Sequence, residues 1–170
     1  GRERVAVALA RGREEIVERA GMTRGAMYHH FNSKEALFQA VFEVVERELC
    51  DAIATSAMAS RDPIEQLRLG ARAFLDAAAT GEVRRIVLLD APAVLPVDVR
   101  RRLSEQYGLG LVREALRHAD AAGRLKVGPV DALALVVMAV LHEAATAIAD
   151  GDDPGAMHSV IDGMITAITG

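Results

Sequence analysis

The chain has 170 residues, a length suited to one domain or to a small domain joined to a larger one, and its 20 basic and 24 acidic side chains leave a net charge of -4. It is 51% apolar but only 4% aromatic, with no tryptophan, so alanine, leucine and valine must build the core, which favours close-packed helices. The single cysteine, Cys50, excludes an internal disulfide and a cysteine-rich zinc site, and net acidity excludes nucleic-acid binding by bulk charge while leaving open a local basic patch.

The predicted elements are all helical. Residues Arg2 to Ala10 suit a first helix. Glu14 to Ala20 suit a short second one, with Ile16 and Val17 inward and Gly21 as its stop. Thr23 caps a third helix that runs to about His30. A longer helix begins near Lys34, where Asn32 and Glu35 have capping-box spacing and Ser33 is a competing cap. Leu37, Phe38, Val41, Phe42, Val45 and Leu49 give that helix a wide apolar stripe, enough to join two domains.

The remainder reads as a bundle. Asp62-Pro63, Gly128-Pro129 and Asp153-Pro154 each place a cap-like residue before a helix-starting proline. Pro63 to Ala79 turns Ile64, Leu67, Ala71, Phe74 and Leu75 to one side. Glu82 to Leu89 is expected to bury Ile86 and Leu89. Val97 to Ala121 is a long helix with a bend expected near Gly108 and Gly110. Pro129 to Ala149 and Pro154 to Ile168 are the last two. The run Ala132 to Leu141 is about half of a bilayer span and reads as a buried helix. No signal peptide opens the sequence, so the cytoplasm is the expected compartment.

The segment REEIVERAGMTRGAMYHH has the form of two short helices around a tight turn at Gly21-Met22, the geometry of a helix-turn-helix. Between Arg19 and Lys34 there are three basic residues, two histidines and no acid. Arg24 at the start of the second helix can donate two parallel bonds to guanine O6 and N7. Thr23 can cap the helix and reach a phosphate or base. Gly25 removes bulk where backbone passes close to a duplex. The Tyr28 hydroxyl suits a phosphate, and His29 suits a phosphate or a thymine methyl. Lys34 can clamp a phosphate together with helix N-terminal amides.

The stretch GMTRGAMYHHFNSKEALFQAVFE resembles the helix-turn-helix of the TetR family of bacterial transcriptional repressors. The resemblance runs through residues 13 to 45, in the Thr-Arg-Gly start, the Tyr28-His29-His30-Phe31 run and Ser33-Lys34-Glu35. It implies an all-α fold: an N-terminal three-helix DNA-binding domain, residues 1–45, joined by a shared helix to a helical ligand-binding and dimerisation domain, residues 46–170. It implies a homodimer on a palindromic operator, with Thr23, Arg24, Tyr28, His29 and Lys34 facing DNA and Phe31 packed in the small domain. One departure is the link Arg11-Gly12-Arg13 between Ala10 and Glu14, shorter than the family's usual stretch. Either residues are absent between 10 and 14 or the first helix is shortened.

The last two helices, residues 129–168, are the expected two-fold interface, since their alanines permit close approach and a helix apolar beyond one stripe needs cover on more than one side. Leu67, Phe74, Leu88, Leu89, Leu103, Tyr107, Leu111 and Met138 are candidates to line a mostly apolar effector pocket, with Tyr107, His118, His142 and Glu143 for polar contacts. The effector is expected to be a small, mostly apolar organic molecule that releases DNA by shifting populations.

Enzyme chemistry finds little support. His142-Glu143 begins like HExxH, but Thr146 stands where the second histidine belongs. Gly108-x-Gly110 lacks the third glycine and preceding strand of a dinucleotide loop. No cofactor, metal or membrane partner is expected. The competing reading is a helical protein–protein interaction or structural module without DNA binding.

Overall fold

The computed structural model describes residues 33–79 and 81–170, and these are helical throughout apart from their connections. The helix-turn-helix residues Thr23, Arg24, Gly25, Tyr28 and His29, and the short link at 10–14, lie outside the described residues. Lys34 opens the first described helix, α1 (Lys34–Ala57). It is followed by α2 (Pro63–Ala78), a short mixed segment over residues 81–94, α3 (Val97–Gln106), α4 (Gly108–Ala121), α5 (Val130–Asp150) and α6 (Pro154–Ile168).

Local chemistry sets most of these ends. Ser33 caps α1, its hydroxyl accepting from the Ala36 amide at 3.1 Å. The competing cap Ser33 is therefore the one in place, and Asn32 of the expected Asn32–Glu35 box lies outside the described residues. Asp62 accepts from the Ile64 and Glu65 amides, each at 2.9 Å, with Pro63 as the first helical residue. Asp153 accepts from the Gly155 amide at 2.9 Å before Pro154 starts α6. At α5 the pattern differs by one residue: Pro129 itself occupies the cap and Val130 begins the helix. Gly151 ends α5 with φ at +113°, a conformation that side chains with a Cβ rarely adopt.

Two elements depart from the periodicity. The segment 81–94 contains a π-helical stretch, Arg84–Asp90, in which the Ala91 amide donates to the Ile86 carbonyl five residues back. This wider turn rotates the side chains off the α-helical stripe. Ile86 is buried as expected, but Val87 takes the second buried place and Leu89 is 47% exposed. The expected bend in Val97–Ala121 is a full break at Tyr107, whose φ of −113° and ψ of −99° separate α3 from α4. The two glycines that follow it, Gly108 and Gly110, mark the place. A Cβ on Gly110 would stand 2.8 Å from the Glu105 carbonyl oxygen, and one on Gly108 would stand 2.7 Å from Cε of Met138.

The core has two parts, and α1 belongs to both. Its first half puts Phe38, Val41, Phe42 and Val45 against Ile86, Val87, Leu95 and Leu103. Its second half adds Leu49 to the larger core of Leu67, Phe74, Leu75, Leu116, Leu141 and Ile161. Side chains at the rim tie α2 to α6, through Arg72 with Asp162 and through His158 with Asp76 at 2.9 Å. The α4–α5 connection is pinned to the end of α6 by a single antiparallel bridge between Leu125 and Thr169.

Leu75 is fully buried at the centre of the larger core. Leu75→Ala is expected to cost about 2–5 kcal/mol, as lost transfer free energy plus the void left behind. Urea unfolding at a fixed protein concentration measures it. A cost below about 1 kcal/mol would mean that this core collapses around the gap.

Candidate effector cavity

The bundle holds a first cavity of about 380 Å³, open to solvent at its rim and walled by α1, α2, α4, α5 and α6. Small residues make the room: Gly70 and Ala71 on α2 and Ala54 and Ala57 on α1 face it where larger side chains would fill it. The wall is otherwise aliphatic, with Leu49, Ile53, Leu67, Val137, Leu141 and Ile165 among its members. A second cavity of about 390 Å³ adjoins it between α1, the 81–94 segment, α3 and α5. Glu46, Gly108, Met138 and His142 line both and so form the partition.

The polar groups of the partition are shaped by burial. Glu46 is only 7% exposed and makes no hydrogen bond or ion pair among the described residues. Loss of water alone pushes its carboxyl up to about 7. Burial also lowers His142, favouring the neutral imidazole, and its ring stacks on Phe74 with centroids 5.6 Å apart and planes 30° apart. Cys50, one turn along α1 from Glu46, has its thiol pushed up to about 12, first by burial and then by the charges of Glu46 and Asp51. It is a poor nucleophile there. At the rim, His118 Nε2 lies 3.4 Å from Glu114. No group of three or more His, Cys, Asp or Glu side chains able to hold a metal ion converges among the described residues.

Of the pocket residues expected from sequence, Leu67, Phe74, Leu111, His118, Met138 and His142 line the first cavity, and Leu88 lines the second. Leu89, Leu103 and Tyr107 line neither. Leu103 is buried in the smaller core, Tyr107 packs on that core with its hydroxyl accepting from Gln106 Nε2 at 3.2 Å, and Leu89 is turned out by the π-helical stretch. Glu143 is exposed on α5 and lines neither cavity. The contribution of α1 was not foreseen. The signal for it was an acid inside an apolar stripe, since Glu46 lies four residues after Phe42 and three before Leu49.

α5 is the one helix among the described residues long and apolar enough to cross a membrane by length and composition. It packs instead against α2 and α4 on one side. Its other side leaves Ala132, Leu135, Val136 and Ala139 exposed. Next to it α6 leaves Ala156, Val160 and Gly163 exposed.

Comparison with known proteins agrees with this architecture. Residues 64–170 match the tetracyclin repressor-like C-terminal domain, and residues 12–41 match the bacterial regulatory proteins of the tetR family. The chain is 28% identical over 134 residues to the HTH-type transcriptional regulator AcrR of Shigella flexneri, covering 73% of this chain and 61% of that protein. It thus spans about three fifths of that relative's length. A TetR-family transcriptional regulator from Pectobacterium atrosepticum superposes with a TM-score of 0.70 at 28% identity, over 98% of this chain and 92% of the other. FadR of Bacillus subtilis, in complex with stearoyl-CoA, shares the fold with a TM-score of 0.72 at 17% identity, over 91% of this chain and 87% of its own. With one domain model covering well over half of its residues and a second covering its helix-turn-helix motif, the chain belongs to the TetR family of bacterial regulatory proteins.

Proposed function

We propose that this protein is a ligand-responsive transcriptional repressor. It acts in the cytoplasm as a homodimer on a palindromic operator and leaves DNA when a small organic molecule enters the first cavity. The division of labour is a DNA-binding domain over residues 1–45 and an effector and dimerisation domain over 46–170.

The observation that carries this reading is the double duty of α1. Its sequence follows directly on the helix-turn-helix motif at Lys34, and its residues Glu46, Leu49, Cys50 and Ile53 form a wall of the cavity. A ligand that prefers one setting of this wall shifts the population toward it, and the start of the same helix must follow. The exposed apolar stripes of α5 and α6 are the proposed two-fold interface, which would set two reading heads on successive major grooves roughly 34 Å apart. Thr23, Arg24, Gly25, Tyr28, His29 and Lys34 are the proposed DNA contacts, with Arg24 on guanine and Lys34 on phosphate.

Selection of bound sequences from random duplex DNA tests this reading. A palindrome with half-sites about one helical turn apart is expected. Arg24→Ala should cost about 1–3 kcal/mol on the selected site and relax base preference there. Lys34→Ala should weaken all sequences about equally and lower the salt slope by about one. Recovery of no preferred sequence would favour the helical interaction module instead.

A further inference from the structure

The first cavity pairs an almost wholly aliphatic wall with one deeply buried acid, Glu46, that has no partner among the described residues. Among the described residues its only formally charged side chains are carboxylates, Glu46 at the inner partition and Glu114 at the rim, and neither lysine nor arginine lines it. Arg100 and Arg101 line the second cavity, and neither forms an ion pair with Glu46 among the described residues. Histidine adds no opposing charge inside, because buried His142 favours its neutral form. The Phe74–His142 stack supplies an aromatic surface on the same wall.

We propose that the first cavity binds a lipophilic monocation, with the charged nitrogen held at Glu46 and the hydrocarbon body along the aliphatic wall. This names the effector class for the regulatory reading above and rests on it. The physical case is a comparison of three ligands with the same tail. A neutral one gains the apolar contacts and leaves the Glu46 carboxylate with neither water nor partner. An anionic one adds like-charge repulsion in a medium that screens it poorly. A cationic one supplies the missing counter-charge and a charge-assisted hydrogen bond. Phe74 can add a cation–π contact from the side. Binding also relieves the cost that Glu46 imposes on the empty protein, because the ionised form gains what burial took away.

The test uses decylamine, decanol and decanoate, below their aggregation concentrations, against the purified chain at pH 8 by titration calorimetry. There decylamine carries its proton and most of Glu46 is ionised. Decylamine is expected to bind about ten- to a hundredfold more tightly than decanol, and decanoate more weakly than either. In Glu46→Gln the preference for the amine over the alcohol should disappear while decanol binding persists. Asp152→Asn, which removes an exposed carboxylate outside the cavity, should keep the preference and so exclude simple attraction to an acidic surface. Equal binding of amine and alcohol by the unmodified chain overturns the proposal without recourse to any variant. So does tightest binding of decanoate, or an amine preference that survives Glu46→Gln. DNA affinity is measured separately on the selected site. Tight amine binding without DNA release would count against the regulatory reading and leave the ligand class standing.

Discussion

Leu135→Glu is expected to convert the protein to a folded monomer and to remove high-affinity operator binding. Leu135 is 56% exposed on α5, in line with Ala132, Val136 and Ala139, and Val160 on α6 is 58% exposed beside it. Side chains this apolar along two adjacent helices are covered when a second copy packs against them. Burial of one leucine contributes about 1.5–3 kcal/mol, and a two-fold axis counts each loss twice. Glutamate at the same place also brings two carboxylates into an apolar interface without partners. The dimer dissociation constant should rise by at least about a hundredfold. Because Leu135 belongs to neither core, the helical content and the cavity should survive. Sedimentation velocity and circular dichroism read the two halves of the result, and a dimer of unchanged affinity would place the interface elsewhere.

The second large effect is on stability and depends on pH. Glu46 titrates near its ordinary value of 4.5 in the unfolded chain and near 7 in the fold, because burial disfavours its charged form. Below about 4.5 both states hold the proton and the group contributes no pH-linked penalty. As pH rises toward 7 the unfolded state loses its proton first, so unfolding becomes easier. Above 7 the fold carries an ionised buried carboxylate, and the penalty levels off at about 3 kcal/mol. Glu46→Gln keeps the shape and removes the ionisation. It should match the parent near pH 4.5 and exceed it by up to about 3 kcal/mol at pH 8, as measured by urea unfolding across that range. A difference independent of pH would show that Glu46 is paired or hydrated. Asp62 runs the other way. The amides that it caps, first that of Glu65, hold its carboxyl below the ordinary range, so its stabilising contribution is present at neutral pH and is lost on acidification.

Elements fixed by local chemistry were the legible ones. Asp62-Pro63 and Asp153-Pro154 carry both halves of a helix start, a capping oxygen and a preset φ, and both helices begin there. The stripe from Leu37 to Leu49 is buried as its spacing predicts. The helix-turn-helix motif was legible because several unusual residues crowd into one short window. What stayed hidden depends on tertiary context. Gly108 and Gly110 signal a weakness in a helix, but whether it bends or breaks depends on Met138 and on the Glu105 carbonyl, which approach only in the fold. The periodicity of Glu82 to Leu89 assumes 3.6 residues per turn, and the π-helical stretch violates that assumption, exposing Leu89. A cavity is an absence of atoms, so its wall could be guessed only in part. Leu103 and Tyr107 have the right character and pack into a solid core instead.

The gripping of α1 by both cores has a mechanical consequence. Its early side chains are seated among one set of neighbours and its later ones in another, so a tilt of the helix would be carried along its whole length. Lys34 stands twelve residues from Glu46, about 18 Å along the axis at 1.5 Å per residue. A tilt of about 10° pivoting at Glu46 sweeps the start of the helix through an arc of roughly 3 Å. That is about the whole length of a hydrogen bond. Under the proposed function, an occupant that tilted this shaft through a small shift of the inner wall would therefore be geared up, at the far end, to a displacement that a bond to phosphate would not survive.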